Sequence, residues 1–400
     1  MILGWLDWTS ATFPTQSLVV IVSTTSANSS DIPCCKDSSL LACKISTINP
    51  NVLGQAKLMM PNGILLRFVS KEDFDDHSTY HYSNVQGDDA TINFNAASGA
   101  MFAHVATNGG ESFVLESCGS AGHVWKQIDV RLLGDDEGVS LGNGTSSSDD
   151  SKKDFDGGVV KASTGGKNAG DNSTIVTYSI KFYYTPEFQA ATPDIEGFID
   201  AVVDETNLGY NNSQVPLKAT KFCTELATIN DSTPNILNAF ANMKSSATEL
   251  RDTADAAALL VLGFSYCGQG YLNTIPSGYT VSVTRKSCAL GYYSFGHEVG
   301  HNIGLHHNVE ASTNTAYPYG HGHLIDAGTA STGVRTILAY NANGHSTRVN
   351  YYSNPSVNYP GTGTPTGELK VKGYVLRKVM LILIVHMKNR PSRSKTTFYA

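Results

Sequence analysis

Residues 297–307 read His297-Glu-Val-Gly-His301-Asn-Ile-Gly304-Leu-His306-His307, and this stretch decides the fold. His297 and His301 are four residues apart, so on a helix their imidazole rings project from the same face, one turn apart. That spacing lets two ring nitrogens reach one metal ion at about 2.0–2.1 Å. The stretch therefore predicts a helix that carries two ligands of a zinc ion.

The rest of the stretch completes a candidate catalytic site. Glu298 lies beside the first ligand, where its carboxylate can act as general base towards an attacking water. Gly304 can adopt the left-handed conformation that ends a helix, and the turn would bring His307 to the ion as third ligand. The offset from Gly304 selects His307 rather than His306. Three protein ligands leave one coordination position open, which is typical of catalytic zinc.

Ordinary core or solvated histidines on a helix are the alternative interpretation. The additional Gly and His at fixed offsets weigh against it, because HExxH alone occurs often by chance and the longer pattern does not.

The pattern HExxHxxGxxH resembles the signature of the metzincin zinc peptidases. Two further segments resemble the reprolysin-like (adamalysin-like) members: Arg335-Thr-Ile-Leu-Ala-Tyr340 looks like the Met-turn region, and residues 349–367 look like the segment on its C-terminal side. The resemblance covers roughly residues 173–367. It implies an α/β catalytic domain with a five-stranded twisted sheet, one catalytic Zn²⁺, and hydrolysis of peptide bonds in a protein or peptide substrate.

The sequence departs from that family at two positions. Leu338 stands where the family has the Met of the Met-turn, and since Leu is close to Met in volume we expect a retained site with altered packing. Asn308 follows His307 where the reprolysins carry Asp. Tyr340 resembles a Tyr that turns towards zinc in some relatives, and a Tyr packed on the turn is the simpler interpretation.

Seven cysteines leave at least one unpaired: Cys34, Cys35, Cys43, Cys118, Cys223, Cys267 and Cys288. In the segment that resembles the family, Cys267 and Cys288 are the preferred disulfide, which leaves Cys223 unpaired. Cys118 could supply a thiolate that caps the zinc in a latent form. It lacks the neighbouring Pro and basic residues of such switches, so a disulfide or a free thiol is favoured.

Composition shifts divide the chain into five segments. Residues 1–48 are predicted to be irregular, with a candidate signal region, and residues 49–133 to form a small β-rich, pro-domain-like region. Residues 134–172 are dominated by Gly, Ser, Asp and Lys, which predicts a flexible linker. Residues 173–367 form the predicted metallopeptidase domain, and residues 368–400 an atypical C-terminal tail.

Within the metallopeptidase segment, strand and helix patterns alternate. Strands are predicted at residues 175–184, 256–264 and 279–285, and amphipathic helices at residues 194–207 and 235–250. This alternation predicts an α/β layer with a mixed sheet.

The bulk composition limits the function classes. A net charge of −7 and a pI of about 5.9 argue against nucleic-acid binding. The apolar run Val379–Val385 has seven residues, whereas a membrane-spanning helix needs about 20, so no stable membrane insertion is expected. The cysteines, and Asn-x-Ser/Thr sequons beginning at Asn28, Asn143, Asn172, Asn211 and Asn230, favour a secreted glycoprotein.

Two hypotheses account best for these patterns, and the longer motif makes a third, a non-proteolytic zinc hydrolase, remote. The first is a secreted zinc endopeptidase made as a zymogen with an N-terminal pro-domain. The second is an inactive metzincin scaffold that binds a partner, for which Leu338 and the unusual tail are the only support. The intact Glu298 and three histidines count against the second.

Overall fold

The computed structural model describes residues 19–21, 32–35, 40–60, 63–107, 109–133, 136–139, 175–272, 274, 280–311, 320–325, 333–341 and 347–368. Most of the predicted signal region, residues 140–172 of the predicted linker and the tail from residue 369 lie outside these ranges. The described chain forms a nine-stranded sheet, a six-stranded sheet with six α-helices, and a small three-stranded sheet.

The nine-stranded sheet is antiparallel throughout. Its strands are β1 (Val19–Ile21), β2 (Leu40–Ile48), β3 (Lys57–Met59), β4 (Leu65–Asp73), β5 (Ser78–Ser83), β6 (Asp89–Phe94), β7 (Met101–Ala106), β8 (Ser112–Ser117) and β9 (His123–Ile128). The spatial order is β1-β2-β9-β8-β7-β6-β5-β4-β3. From β3 to β9 each strand pairs with the next, as expected where Asn-Gly and similar turns separate short apolar-alternating runs. Single 3₁₀ turns lie at Pro33–Cys35, Pro50–Val52, Gly119–Ala121 and Val130–Leu132.

The prediction of irregular structure for residues 1–48 is wrong at β2. Leu40–Ile48 pairs with β9 along most of its length and with β1 on its other side. Exposed and buried side chains do not alternate along β2, so the pattern of a half-buried strand is missing. Its partner β9 lies about 80 residues away, and that pairing is invisible in a local sequence window.

The six-stranded sheet is mixed, as the α/β prediction requires. Its strands are β10 (Asp136–Val139), β11 (Val176–Tyr184), β12 (Leu217–Leu226), β13 (Ala256–Val261), β14 (Gly268–Tyr271) and β15 (Val281–Arg285), in the order β10-β14-β15-β13-β11-β12. Only β14 and β15 pair antiparallel. The small sheet contains β16 (Leu324–Ile325), β17 (Val334–Arg335) and β18 (Thr347–Arg348).

The helices are α1 (Pro186–Ala191), α2 (Ile195–Asn212), α3 (Ile236–Ala241), α4 (Ala247–Arg251), α5 (Lys286–Ala289) and α6 (Ser294–Asn302). The predicted single helix over residues 235–250 is wrong, because α3 ends before Asn242 and α4 is a separate helix. Ser246 begins α4, and its hydroxyl accepts a hydrogen bond from the Glu249 backbone N–H. This is an N-cap that starts a new helix. None of the described helices is long and apolar enough to span a membrane.

The predicted linker is also wrong at β10, which adds a sixth strand where the family resemblance implies five. Asp136–Val139 pairs in parallel with Gly268–Tyr271 of β14. Four residues of strand within a Gly-, Ser- and Asp-rich stretch carry no strand pattern of their own. Their structure therefore depends on the edge of β14.

One apolar core joins the two large sheets. Phe102 of β7 packs edge-to-face on Phe198 of α2, with ring centroids 6.2 Å apart, and Phe198 packs on Phe188 of α1 at 5.5 Å. Val114 of β8 and Ile128 of β9 belong to the same buried cluster. Helix α2 is therefore covered on one side by the nine-stranded sheet and on the other by the six-stranded sheet.

Buried polar contacts cross the same boundary. The Glu116 carboxylate of β8 accepts hydrogen bonds from Lys126 and, at 2.7 Å, from the Lys286 ammonium of α5. Burial opposes ionisation of Glu116, but the two ammonium groups hold its pKa below the ordinary value. His104 of β7 lies 2.8 Å from Glu205 of α2. Partnered charges of this kind are costly to separate.

Three disulfides lie in the described residues: Cys34–Cys118, Cys35–Cys43 and Cys267–Cys288. The preferred pairing of Cys267 with Cys288 is confirmed, and Cys223 is free. The idea that Cys118 caps the zinc as a thiolate is wrong, because its sulfur is bonded to Cys34.

Candidate active site

Helix α6 presents the first two predicted metal ligands with their rings held by backbone carbonyls. The Nδ1 of His297 lies 2.8 Å from the carbonyl oxygen of Ile337, and that of His301 lies 2.8 Å from the carbonyl oxygen of Leu305. A carbonyl only accepts hydrogen bonds, so in both rings Nδ1 carries the proton and Nε2 carries a lone pair. This is the arrangement that orients a metal-binding histidine.

The predicted turn at Gly304 places the third histidine, His307, next to the first two. Gly304 has a φ of +99°, and its N–H donates to the His301 carbonyl at 2.9 Å. A residue with a Cβ would be strained there. The Nε2 of His307 then lies 3.3 Å from that of His297 and 3.0 Å from that of His301. His306 instead forms backbone hydrogen bonds with Gly320 and Gly322 and stays outside the group.

The three imidazoles fit a single metal ion. Two ligand atoms at about 2.0–2.1 Å from a tetrahedral ion are about 3.3 Å apart, close to the observed Nε2 separations. Burial lowers the pKa of His297 well below its ordinary value and that of His301 to about 4, so both rings are neutral. Lone pairs that face each other at this distance repel unless a cation lies between them. The donor set is one that zinc binds well.

Glu298 is buried between α6 and β14. A Cβ built at Gly268 would lie 2.5 Å from Glu298 Oε1, and one built at Gly270 would lie 2.8 Å from the Glu298 carbonyl oxygen. Both glycines are therefore needed for β14 to approach the glutamate so closely. The predicted general base lies next to β14, the second strand from one edge of the six-stranded sheet.

Residues of the Met-turn segment support the ligands from below. The Leu338 side chain is buried, and its Cδ2 would lie 3.0 Å from a Cβ at Gly300, which places it directly beneath α6. Tyr340 stacks on the ring of His307 with centroids 3.6 Å apart. Its backbone N–H donates to the Asn308 side chain at 3.0 Å. Leu338 and Tyr340 thus pack on the predicted metal site.

Two residues that the sequence analysis missed lie beside His297. The Arg348 Nη1 of β18 is 2.6 Å from Asp136 Oδ2 of β10, and it also donates to the Tyr292 carbonyl at 2.9 Å and to the Ser294 hydroxyl at 3.3 Å. Asp136 Oδ2 is 3.7 Å from His297 Nδ1. Asp136 falls in a predicted linker, and 212 residues separate it from Arg348. No local signal could have paired them.

The chain matches known metallopeptidases over its second half. The model of the metallo-peptidase family M12 (Reprolysin_5) matches residues 174–353. A peptidyl-Asp metalloendopeptidase of Pseudomonas fragi is 32% identical over 155 residues, which cover 39% of this chain and 85% of that protein. One of Stenotrophomonas maltophilia (strain K279a) is 30% identical over 184 residues, 42% of each chain, so this chain spans about two fifths of that relative's length.

Among solved structures, metalloproteinase-II from Bacteroides fragilis overlays with a TM-score of 0.39 at 9% identity, over 63% of this chain and 81% of that one. That similarity is too low to inform the chemistry. The match to the Pseudomonas fragi protein covers 85% of that relative. On these findings the chain belongs to the M12 family of metallopeptidases.

Proposed function

We propose that the chain is a zinc-dependent endopeptidase in which His297, His301 and His307 hold one Zn²⁺ and Glu298 is the general base. The main support is that the Nε2 atom of His307 lies within 3.3 Å of those of His297 and His301, while carbonyls hold the Nδ1 atoms of His297 and His301. Bound zinc would polarise the scissile carbonyl and lower the pKa of the attacking water.

Glu298 supplies the proton transfers. Its carboxylate follows the first ligand in the sequence and lies against β14, so a peptide placed along that strand would pass beside it. In this position Glu298 can take a proton from the attacking water and pass it to the leaving amine. The glycines of β14 allow the strand to lie this close to Glu298.

The names of the similar proteins suggest the class of substrate. They are described as peptidyl-Asp metalloendopeptidases. We propose that this chain also cleaves peptide bonds next to Asp residues, in proteins or peptides.

Secretion and a latent form belong to the same proposal. Three disulfides require an oxidising compartment, and the described sequon residues Asn211 and Asn230 are both exposed. The nine-stranded sheet is proposed to act as the N-terminal pro-domain. The alternative of an inactive scaffold loses support, because Leu338 fills the space beneath α6.

The decisive experiment is cleavage of a denatured protein by the purified chain, with zinc content measured on the same samples. Glu298→Gln should lower the rate by about 10²–10⁴-fold while retaining about one zinc. The matched control is Glu111→Gln, an exposed glutamate in the β7–β8 hairpin, which should leave the rate unchanged. A chelator should abolish cleavage. Bound zinc without cleavage in the parent chain, even after proteolytic removal of residues 1 to about 170, would favour the scaffold, and absence of zinc would refute the proposal.

A further inference from the structure

Strand β10 lies where an extended peptide would add to the six-stranded sheet. On one side β14 pairs with β15, and on the other it pairs with β10. An open strand edge accepts an extended peptide through main-chain hydrogen bonds. Asp136 is in register with Gly268, the residue that contacts Glu298. A peptide bound at this edge would therefore pass beside the proposed general base, and β10 occupies that path.

The Asp136 side chain fills a polar pocket next to the metal ligands. The pocket is formed by Arg348, the Tyr292 carbonyl, the Ser294 hydroxyl and the ring of His297. The side chains of Asp136 and Arg348 are 0% and 1% exposed. Arg348 also lies over the Tyr292 ring, 4.4 Å from its centroid. A fixed, buried guanidinium of this kind is suited to recognising a carboxylate.

A purely structural role explains this ion pair poorly. A buried pair gives little net stability, because the desolvation of both charges offsets their attraction. Moreover, Asp136 Oδ1 is buried and has no hydrogen-bond partner among the residues that the structure describes. An acidic group that only held the fold together would normally have both oxygens satisfied. The Arg348 pocket thus holds a carboxylate that is incompletely bound.

We propose that Arg348 selects an acidic side chain next to the scissile bond of the substrate, and that Asp136 of β10 occupies this pocket as an internal ligand in the intact chain. The proposal rests on the proposed peptidase function and assigns its preference for Asp to one residue. Because Asp136 is part of the same chain, it competes with substrate at a high effective concentration. Weakening the contact between Asp136 and Arg348 should therefore make the Arg348 pocket available to the substrate.

The first test uses two quenched fluorescent peptides that differ only by Asp or Asn beside the cleavable bond. Asp136→Asn should raise kcat/KM for the Asp peptide by about tenfold or more, since the internal ligand loses its charge. In that background, Arg348→Met should lower the Asp-over-Asn preference by about 100-fold, with cleavage of the Asn peptide retained. Asp73→Asn and Arg131→Met are matched controls at exposed charged side chains, and they should change neither value.

A second variant and a binding measurement keep the test decisive. Arg348→Lys retains the positive charge if the Met variant does not fold, and it should lose most of the preference, because Lys cannot form the guanidinium's paired hydrogen bonds. Binding of a labelled Asp peptide is measured by anisotropy in the Asp136→Asn, Glu298→Gln protein loaded with zinc. Adding Arg348→Lys should weaken that binding by about tenfold or more.

The outcomes separate the two proposals. Arg348-dependent binding without any cleavage in the Asp136→Asn protein would support the proposed Arg348 pocket and refute the proposed peptidase function. If both Arg348 variants still cleave the Asp peptide in preference to the Asn peptide, the proposed pocket is refuted and the proposed peptidase function is supported. An Asp136→Asn protein with unchanged kcat/KM would refute the internal ligand.

Discussion

Two of the side-chain groups close enough to hold a cation differ in what surrounds the imidazole. The first, the metal cluster, is His297, His301 and His307. Carbonyls hold the Nδ1 atoms of the first two rings, and burial lowers the pKa of all three histidines. All three rings are neutral, and their Nε2 atoms face one another.

The second, the carboxylate cluster, is His77 with Asp76, Asp200 and Asp204, where the β4–β5 hairpin meets α2. His77 Nδ1 is 2.8 Å from Asp76, and Nε2 is 3.0 Å from Asp204. Burial by itself would lower the pKa of His77, but the carboxylates of Asp204 and Asp76 raise it to about 9. His77 is therefore a cation at neutral pH, with both ring nitrogens used as donors.

The comparison shows that a group of metal-binding residue types predicts a metal site only when the hydrogen-bond partners of those residues are known. Carbonyls on Nδ1 leave Nε2 free to bind an ion, whereas carboxylates on both nitrogens make the imidazole itself the positive charge. Three experiments test this difference, in order of expected effect.

The largest effect is expected for zinc content. His301→Ala should lower bound zinc from about one equivalent to less than about 0.1, because two ligands cannot hold the ion against dialysis. His77→Ala, the matched change in the carboxylate cluster, should leave zinc content unchanged. Metal analysis after dialysis in metal-free buffer measures both. Loss of zinc from the His77 variant would contradict the distinction between the clusters.

An intermediate effect is expected for the pH dependence of stability. A pKa raised from 6.5 to about 9 means that His77 contributes stability fully below pH 6.5 and loses it as the pH rises through 9. Allowing for screening by solvent at this partly exposed site, the contribution is about 1–2 kcal/mol.

Denaturant titrations at pH 7 and pH 10 measure this contribution in the parent chain and in His77→Gln. Between pH 7 and pH 10 the free energy of unfolding should fall less in His77→Gln than in the parent chain, because the variant has no imidazole to lose its charge. Titration of the lysines and tyrosines affects both proteins alike. An equal loss in the two proteins would show that His77 is not charged at neutral pH.

The smallest effect is expected beneath the metal cluster. Leu338→Met restores the family residue and conserves volume, so the free energy of unfolding should change by less than about 1.5 kcal/mol, with zinc content unchanged. Leu66→Met in the core of the nine-stranded sheet is the matched control. A change in zinc content in the Leu338 variant alone would show that packing under α6 tunes the site.

The parts of the fold that the sequence predicted are those set by near neighbours. The i, i+4 spacing of His297 and His301 and the turn at Gly304 are local, and α2 and β11 result from short apolar patterns. The break between α3 and α4 is also local, since Ser246 followed by Glu249 is a capping signal, but the prediction of a single helix over residues 235–250 overlooked it.

The parts that escaped prediction depend on distant partners. Strand β2 exists because β9 pairs with it, and β10 because β14 offers an edge. The carboxylate pocket needs Arg348 and Asp136, which meet only in the folded chain.

The continuous core around α2 has a consequence for how the protein can be divided. The family model begins at residue 174, so the segment that it matches omits every strand of the nine-stranded sheet. Expressed alone, that segment would expose the face of Phe198 that contacts Phe102 and would lack the Glu116 partner of Lys286, eleven residues before the first metal ligand. If a protease cleaves the chain between β10 and β11, the two fragments should accordingly stay associated and elute together until they are denatured. The segment that the family model matches therefore shares its apolar core with the nine-stranded sheet.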